Sequence, residues 1–356
     1  MLKSLVPALR CPACRPADAP LRVCDFSPDT HRVQGHIANG ALVCDRCQNF
    51  YTVEDELAEL VVPALQDHEA RSRFAIRFAS QLGLHGLSAA IATSADQSGV
   101  AEQLAQRRHF DWYAQNQTQS YEEYQHTPFW RAADAQTLRR WQSRVKPGSR
   151  ILDIGCADGR GGFYFTHVPG MTLVGFDISR KMVANAIGRA RRDGFNGRAA
   201  FLVADATRPP FAAESFDVVI TFGVLHHLPD PRQSTADIQS LLSPGGVHLA
   251  FENNESMVRP LFDLMMKILP LWSEEAGREP LISQRMVNDW IRPLPVRLTI
   301  ATSVFVPPHL LNWLGREAAD LTLRATDAIA TRLPVIRNQG GLIVFELEKV
   351  PRGTRG

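Results

Sequence analysis

The chain has 356 residues, enough for one large core with a smaller module beside it. Hydrophobic residues make up 45% and charged residues 21%, an ordinary balance for a soluble globular protein and not that of a disordered chain. A net charge of +2 offers no basic field to gather nucleic acid, and no run of 18 apolar residues reads as a membrane span.

Lys3 is followed by no long apolar run before Pro7, so no secretory leader is expected. Six cysteines, four of them in C-x-x-C pairs, read as metal ligands in a reducing compartment, with the cytoplasm as the expected location. Cys11-Pro-Ala-Cys14 and Cys44-Asp-Arg-Cys47 each place two thiolates on one tight turn. Two such turns facing each other supply the four tetrahedral sulfur ligands of a structural Zn2+. The 29 residues between the pairs imply a long hairpin or an insertion, with strands at Arg22–Phe26 and Gly40–Cys44 carrying the knuckles. Cys24 is expected to be a buried small hydrophobe. Redox dithiols are the competing reading, but no βαβ context surrounds either pair. The run from Gly40 to Tyr51, with the acids Glu54, Asp55 and Glu56 after it, resembles small zinc-ribbon proteins that partner or precede methyltransferases. Residues 1–62 are therefore expected to form a zinc-ribbon module.

Residues 63–133 are expected to be a helical linker followed by an aromatic lid. Pro63 closes the ribbon, Glu69 to Leu84 alternates as an amphipathic helix, and Gly83, Gly86, Ser94 and Ser98 mark a linker. Trp112, Tyr113, Tyr121, Tyr124, Phe129 and Trp130 then crowd, with Phe110, into 21 residues. They either shape an acceptor pocket or pack a helical layer on a sheet, and both readings stand at this point.

Arg150 to Arg160 is the centre of the chain. Ile151, Leu152 and Ile154 make a short buried parallel strand that breaks into Gly155, Cys156, Ala157, Asp158 and Gly159. Small residues at a strand-to-helix turn let a ligand approach the backbone. Asp153 ahead of Gly155-x-Ala157-x-Gly159 lacks the third glycine of a dinucleotide loop. It resembles instead the D/E-x-G-x-G-x-G cofactor loop of class I S-adenosylmethionine-dependent methyltransferases. Ala157 replaces the middle glycine, which an L-residue tolerates readily only at negative φ.

The rest of the series follows in order. Met171–Phe176 reads as a strand ending in Asp177, placed to accept from both ribose hydroxyls, with Ile178 against the adenine. The helix Arg180–Arg192 carries five basic side chains, read as a solvated face. Ala200–Ala204 ends in Asp205 and Ala206, an acid and a small residue suited to the adenine edge. Pro210-Phe211-x-x-x-Ser215-Phe216-Asp217 resembles the ubiquinone-biosynthesis-type methyltransferases, and a fourth strand through Phe222 leads to His226 and His227. Leu241-x-x-Pro244-Gly245-Gly246 precedes a fifth strand, and Leu298–Val306 and Gly341–Leu347 bring the count to seven. The expected fold is thus an α/β doubly wound seven-stranded sheet over residues 134–350, with a small N-terminal zinc ribbon. The resemblance implies a last strand that is antiparallel and inserted beside the fifth.

The segment 253–296 is an expected substrate-side insertion. Its apolar run Pro260–Trp272, with only Asp263 and Lys267 charged, reads as a core helix, with a pocket helix or a membrane-surface contact as alternatives. Leu310–Ile329 reads as one long amphipathic helix.

The resemblance implies S-adenosyl-L-methionine as cofactor, held by Asp153, Gly155, Cys156, Ala157, Gly159, Asp177, Ile178, Asp205, Ala206 and Phe222. Zn2+ on Cys11, Cys14, Cys44 and Cys47 is structural. Methyl transfer is mainly a matter of positioning, with a base needed only if the acceptor must lose a proton. His226 and His227 are the candidate catalytic groups, and Glu252 and Asn253 stand second. The adjacent histidines are expected on opposite sides of the chain, which indicates no catalytic metal. A small or lipid-like acceptor is the leading expectation. The alternatives are a ribosomal or transfer-RNA methyltransferase using the zinc module, and a scaffold that binds cofactor without turnover. No N/D-P-P-F/Y/W signature follows the fourth strand, which reads Thr221-Phe-Gly-Val224.

Overall fold

A single hydrogen-bonded sheet of eleven strands runs through the computed structural model, which describes residues 1–26, 35–87, 100–116, 127–195, 197–271 and 280–351. In chain order the elements are β1 (Arg22–Asp25), β2 (Gly40–Val43), β3 (Phe50–Glu54), β4 (Leu57–Leu60), α1 (His68–Arg77), α2 (Ala79–Leu84), α3 (Ala101–Asn116) and α4 (Pro128–Trp141). They continue with β5 (Arg150–Ile154), β6 (Thr172–Asp177), α5 (Arg180–Arg192), β7 (Ala199–Ala204), β8 (Phe216–Phe222), α6 (Pro231–Leu241) and β9 (Leu242–Asn253). The last are α7 (Arg259–Ile268), α8 (Gln284–Ile291), β10 (Val296–Ser303), α9 (Pro308–Trp313), α10 (Arg316–Ala330) and β11 (Leu342–Lys349).

The spatial order is β1-β2-β3-β4-β7-β6-β5-β8-β9-β11-β10. Strands β7, β6, β5, β8 and β9 are parallel, and β11 runs antiparallel between β9 and β10. Seven strands thus come from residues 150–349, and residues 22–60 add four more to the same sheet. The expected count of seven is corrected to eleven. The physical cause is the open edge of β7, whose unpaired backbone groups β4 satisfies in parallel register, Ala58 opposite Leu202 and Leu60 opposite Ala204.

Both faces of the sheet are covered. Leu152, Ile154 and Phe176 pack on one side with Leu9, Tyr51 and Phe211, while Ile151, Leu173 and Phe201 pack on the other with Trp141 and Phe163. Successive residues of β5 therefore enter opposite cores, as period-two side chains must. Local signals set the helix starts: Asp67, Thr127, Ser179, Asp230 and Ser283 each accept from an amide in the first turn of the helix that follows.

The N-terminal strands are held by charge as well as by strand pairing. Glu59, buried, bridges Arg107 of α3 at 2.8 Å and Arg180 of α5 at 3.0 Å. Arg191 reaches Glu56 at 3.0 Å, and Arg180 also lies 3.5 Å from Glu54. Arg180 and Arg191 of the basic face therefore clamp the acidic turn, while Arg192 stays exposed, so the expected solvated face is corrected in part. Two further expectations change. Leu310–Ile329 is broken into α9 and α10, with Gly315 at the start of the second. The apolar run from Pro260 is no core helix: in α7 only Met266 is fully buried. Tyr121, Tyr124, Ser94, Ser98 and Trp272 lie outside the described residues.

Candidate functional site

A cavity of about 810 Å³ opens where β5, β6, β7, β8 and β9 end, within the range of roughly 300–1,000 Å³ usual for ligand pockets. Its floor is built from Gly155, Ala157, Asp177, Ile178, Asp205, Ala206, Phe222 and Val224. Strand order reverses between β5 and β8, the switch point at which α/β sheets bind ligands.

The turn after β5 is tightly built. Gly155 has φ +63°, and a Cβ there would stand 2.6 Å from the Val224 side chain. Ala157 has φ +47°, so the expected negative φ is corrected: this alanine occupies the left-handed region, at a cost of about 1–2 kcal/mol. Its amide donates to Asp177 Oδ2 at 3.0 Å, and the Ser179 amide donates to Oδ1 at 2.9 Å. Each carboxylate oxygen keeps acceptor capacity beyond its one amide bond. Burial lifts the Asp177 pKa to about 6, and the Ser179 and Ala157 amides restrain the rise.

Asp205 is turned partly toward its own chain, accepting from the Thr207 amide at 2.8 Å and the Thr207 hydroxyl at 2.7 Å. Phe222 lies flat on Phe251, with centroids 4.4 Å apart and planes 12° apart. Asp153, Cys156 and Gly159 are not part of the cavity wall. Asp153 is buried behind the turn, where its carboxylate accepts from the Gly162 amide at 2.7 Å. Its pKa rises to about 7 because of burial, with the nearby Asp177 and Asp158 charges adding to the rise. Cys156 packs inward beside Gly175, where burial raises its thiol pKa. Gly159, at φ +95°, leaves room for the Phe163 ring, which a Cβ would meet at 2.1 Å. These three residues hold the turn from below.

The two histidines stand side by side. Their ring centroids are 4.0 Å apart on the tight turn Leu225–His227, which corrects the expectation that they diverge. Separate anchors bring them together. His226 Nδ1 lies 2.6 Å from Glu252 Oε2, while Glu252 Oε1 accepts from the Val224 and Leu225 amides at 3.0 and 2.7 Å. His227 is held through its carbonyl by Gln106 and flanked edge-on by Phe110 at 5.6 Å. Burial, then the neighbouring His226 and His109, push the His227 pKa down to about 3. Asn253 also lines the cavity.

Arg160 was not singled out by sequence reasoning, yet it lines the cavity and makes a two-point contact with Asp134 at 2.8 and 2.7 Å. Its guanidinium also lies over the Trp130 and Phe222 rings. Its position just after the glycine turn was the available signal. The far end of the cavity is apolar: Phe129 and Trp130 of α4, Phe262 and Met265 of α7, and the Val304–Pro308 segment. Val304 has φ +68°, and buried Asp327 holds its amide at 3.1 Å.

Residues 145–275 match the family model described as a methyltransferase domain. This stretch is similar to methyltransferase domains. The methyltransferase GfsG of Streptomyces halstedii is 33% identical over 102 residues, 29% of this chain and 37% of that protein. The 27-O-demethylrifamycin SV methyltransferase of Amycolatopsis mediterranei is 35% identical over 102 residues, 29% of this chain and 38% of that protein. Phosphoethanolamine N-methyltransferase 1 of Arabidopsis thaliana is 34% identical over 102 residues, 29% of this chain and 20% of that protein. The chain therefore spans well under half the length of these relatives.

Away from this cavity, the Sγ atoms of Cys11, Cys14, Cys44 and Cys47 all lie within 4.8 Å of one another. Cys11 and Cys47 are 3.6 Å apart and Cys14 and Cys44 3.8 Å apart. A tetrahedron of Zn–S bonds near 2.3 Å has S···S edges of about 3.8 Å, so the cluster fits such an ion. The Tyr51 hydroxyl, 3.0 Å from Cys11 Sγ, is placed to donate to a thiolate ligand. Cys24 is buried outside the cluster.

Proposed function

We propose that this chain is an S-adenosylmethionine-dependent methyltransferase that moves a methyl group to a small-molecule or lipid-like acceptor, with the four cysteines holding a structural zinc ion. The observation that carries the reading is Asp177. Its two oxygens are fixed by the Ala157 and Ser179 amides at the cavity wall, beside a turn bare of large side chains. In this reading Asp177 accepts from two ribose hydroxyls, Ile178, Asp205 and Ala206 frame the adenine, and Gly155 and Ala157 admit the ligand to the backbone. Phe222 closes the side of that pocket.

When bound, S-adenosylmethionine supplies an electrophilic methyl group on a sulfonium. The chain's own residues then position the acceptor in line and exclude water, which the aromatic and apolar far end suits. His226 is the proton acceptor at Nε2, with Glu252 holding Nδ1. His227, kept neutral, adds a wall and no charge. The activities named for two relatives, a demethylrifamycin methyltransferase and a phosphoethanolamine methyltransferase, support a small acceptor. The RNA-directed alternative loses support because Arg107, Arg180 and Arg191 are occupied by ribbon carboxylates. The division into ribbon (1–62), helical and aromatic segment (63–133) and transferase unit (134–350, with 253–296 on the acceptor side) belongs to the same proposal, as does a cytoplasmic location.

Calorimetric titration of the purified chain with S-adenosylmethionine tests the reading. Binding weakened at least about a hundredfold by Asp177→Ala is expected, since two hydrogen bonds to a charged group are lost. Bound zinc measured on the same sample is expected near one ion per chain. Absence of binding by the parent chain overturns the transferase reading and leaves a scaffold.

A further inference from the structure

Sixteen large hydrophobic side chains of the described residues are exposed, and eleven of them fall in three short segments: 257–269, 310–313 and 333–336. Hydrogen bonds tie these segments to one another. His309 Nε2 lies 2.8 Å from the Leu269 carbonyl, joining α9 to the end of α7. The Gln339 side chain accepts from the Met257 amide at 2.7 Å, joining the loop after α10 to the start of α7. These contacts bring the exposed apolar segments together on one side of the cavity mouth, and apolar surface gathered in this way marks an interaction.

This surface is continuous with the cavity. On α7, Phe262 and Met265 face the cavity, while Leu264 (53% exposed) and Ile268 (76% exposed) face outward. Leu261 belongs to both: it lines the cavity and is itself 58% exposed. The cavity wall therefore turns into the outer surface along a single helix. Among residues 257–269, 308–314 and 331–339, four basic side chains (Arg259, Lys267, Arg332 and Arg337) stand against one carboxylate, Asp263. That carboxylate is itself paired to Arg259 at 2.6 Å. These segments thus join exposed apolar side chains to an excess of basic ones, and they adjoin the cavity through α7.

We infer that this surface docks on a lipid bilayer bearing anionic headgroups, and that the acceptor is an amphiphile drawn from that bilayer into the cavity. Apolar side chains entering the headgroup boundary with lysine and arginine beside them are the pattern of a helix lying in the interface. A protein partner would be matched equally well by the apolar residues alone. The excess of basic side chains and the continuity with an apolar cavity favour the bilayer. The acceptor half of this inference rests on the transferase reading, and the docking half does not.

The test is flotation of the full chain with vesicles of phosphatidylcholine alone and of phosphatidylcholine with phosphatidylglycerol, at low and high salt, alongside calorimetry with S-adenosylmethionine. The chain is expected to float with the anionic vesicles, less so at high salt, with Lys267→Glu and Arg337→Glu each lowering binding roughly fivefold. The double variant Leu264→Glu, Ile268→Glu is expected to lose flotation and keep its cofactor affinity, since neither side chain lines the cavity. A chain that ignores anionic vesicles, or a double variant that floats as well as the parent, overturns the docking. Self-association abolished by the same double variant also overturns it and assigns the surface to a second copy. Flotation without cofactor binding leaves the docking intact and removes the transferase reading.

Discussion

His226 and Glu252 form a buried pair, with Nδ1 and Oε2 2.6 Å apart, and the second oxygen of Glu252 holds the two amides that open the turn carrying His226. One carboxylate at the end of β9 thus sets both the backbone and the ring orientation at the end of β8. Nδ1 is held by Glu252, so proton transfer in the proposed reaction falls to Nε2. His226→Ala is expected to lower kcat by about two to four orders of magnitude while leaving cofactor affinity nearly unchanged. His227→Ala is expected to cost far less, because its low pKa makes it a weak base. Nitrogen-15 NMR is expected to find the His226 proton on Nδ1. A proton only on Nε2 removes it as the base.

Asp177 and Asp153 both have pKa values raised by burial, to about 6 and about 7. A carboxyl group with a raised native pKa binds protons more tightly folded than unfolded, so its contribution to stability is fully present below about pH 4 and is lost as pH rises through the native value. Between about pH 4 and 7 these two groups therefore make the ligand-free chain less stable as pH rises. Asp153→Asn, which keeps an oxygen for the Gly162 amide, is expected to flatten the dependence of Tm on pH over that window. Cofactor affinity is expected to run the opposite way, weakening as pH falls through about 6, because the ionised form of Asp177 is the better acceptor. Calorimetry at a series of pH values checks this sign.

Ala157 at φ +47° stores strain that glycine does not. Ala157→Gly is expected to stabilise the chain by up to about 1 kcal/mol, the relief of strain outweighing the extra entropy of an unfolded glycine. Cofactor affinity is expected to hold, since the amide that meets Asp177 remains. Urea denaturation with parallel titration measures both. A destabilised variant shows that the alanine methyl is packed rather than strained.

Ala157 also shows where the sequence ran out. Its neighbours predicted the strand, the turn and the acid at the end of β6, all of which depend on residues close in the chain. Its φ does not, because it is fixed by an amide reaching Asp177, twenty positions away. The same holds for α5, in which Arg180 and Arg191 carry no mark that Glu54, Glu56 and Glu59 wait for them across the sheet edge. Strands β3 and β4 were missed because they are short and gain their meaning from pairing, β4 with a strand about 140 residues later. The apolar run in α7 fits a core helix or a surface helix equally well by composition, and only burial separates them.

The clamp at Glu59 couples the ribbon to the cavity. Glu59 holds Arg107, and the same helix presents Gln106, His109, Phe110 and Tyr113 to the cavity, while Asp111 accepts from the Ser179 hydroxyl at 2.6 Å. Ser179 in turn gives its amide to Asp177. Removing one partner of a buried pair leaves the other charge uncompensated, at a cost of about 3–5 kcal/mol. Glu59→Gln is therefore expected to lower Tm and to weaken cofactor binding, while the four cysteines, which touch neither residue, keep their zinc. The double variant Glu59→Gln, Arg107→Met is expected to recover part of the stability, because no charge is then stranded on α3. Recovery of Tm without recovery of cofactor affinity is the expected signature of a ribbon that positions α3. Recovery of both reduces the pair to a structural contact. Cofactor affinity unchanged in Glu59→Gln itself disconnects the ribbon from the site.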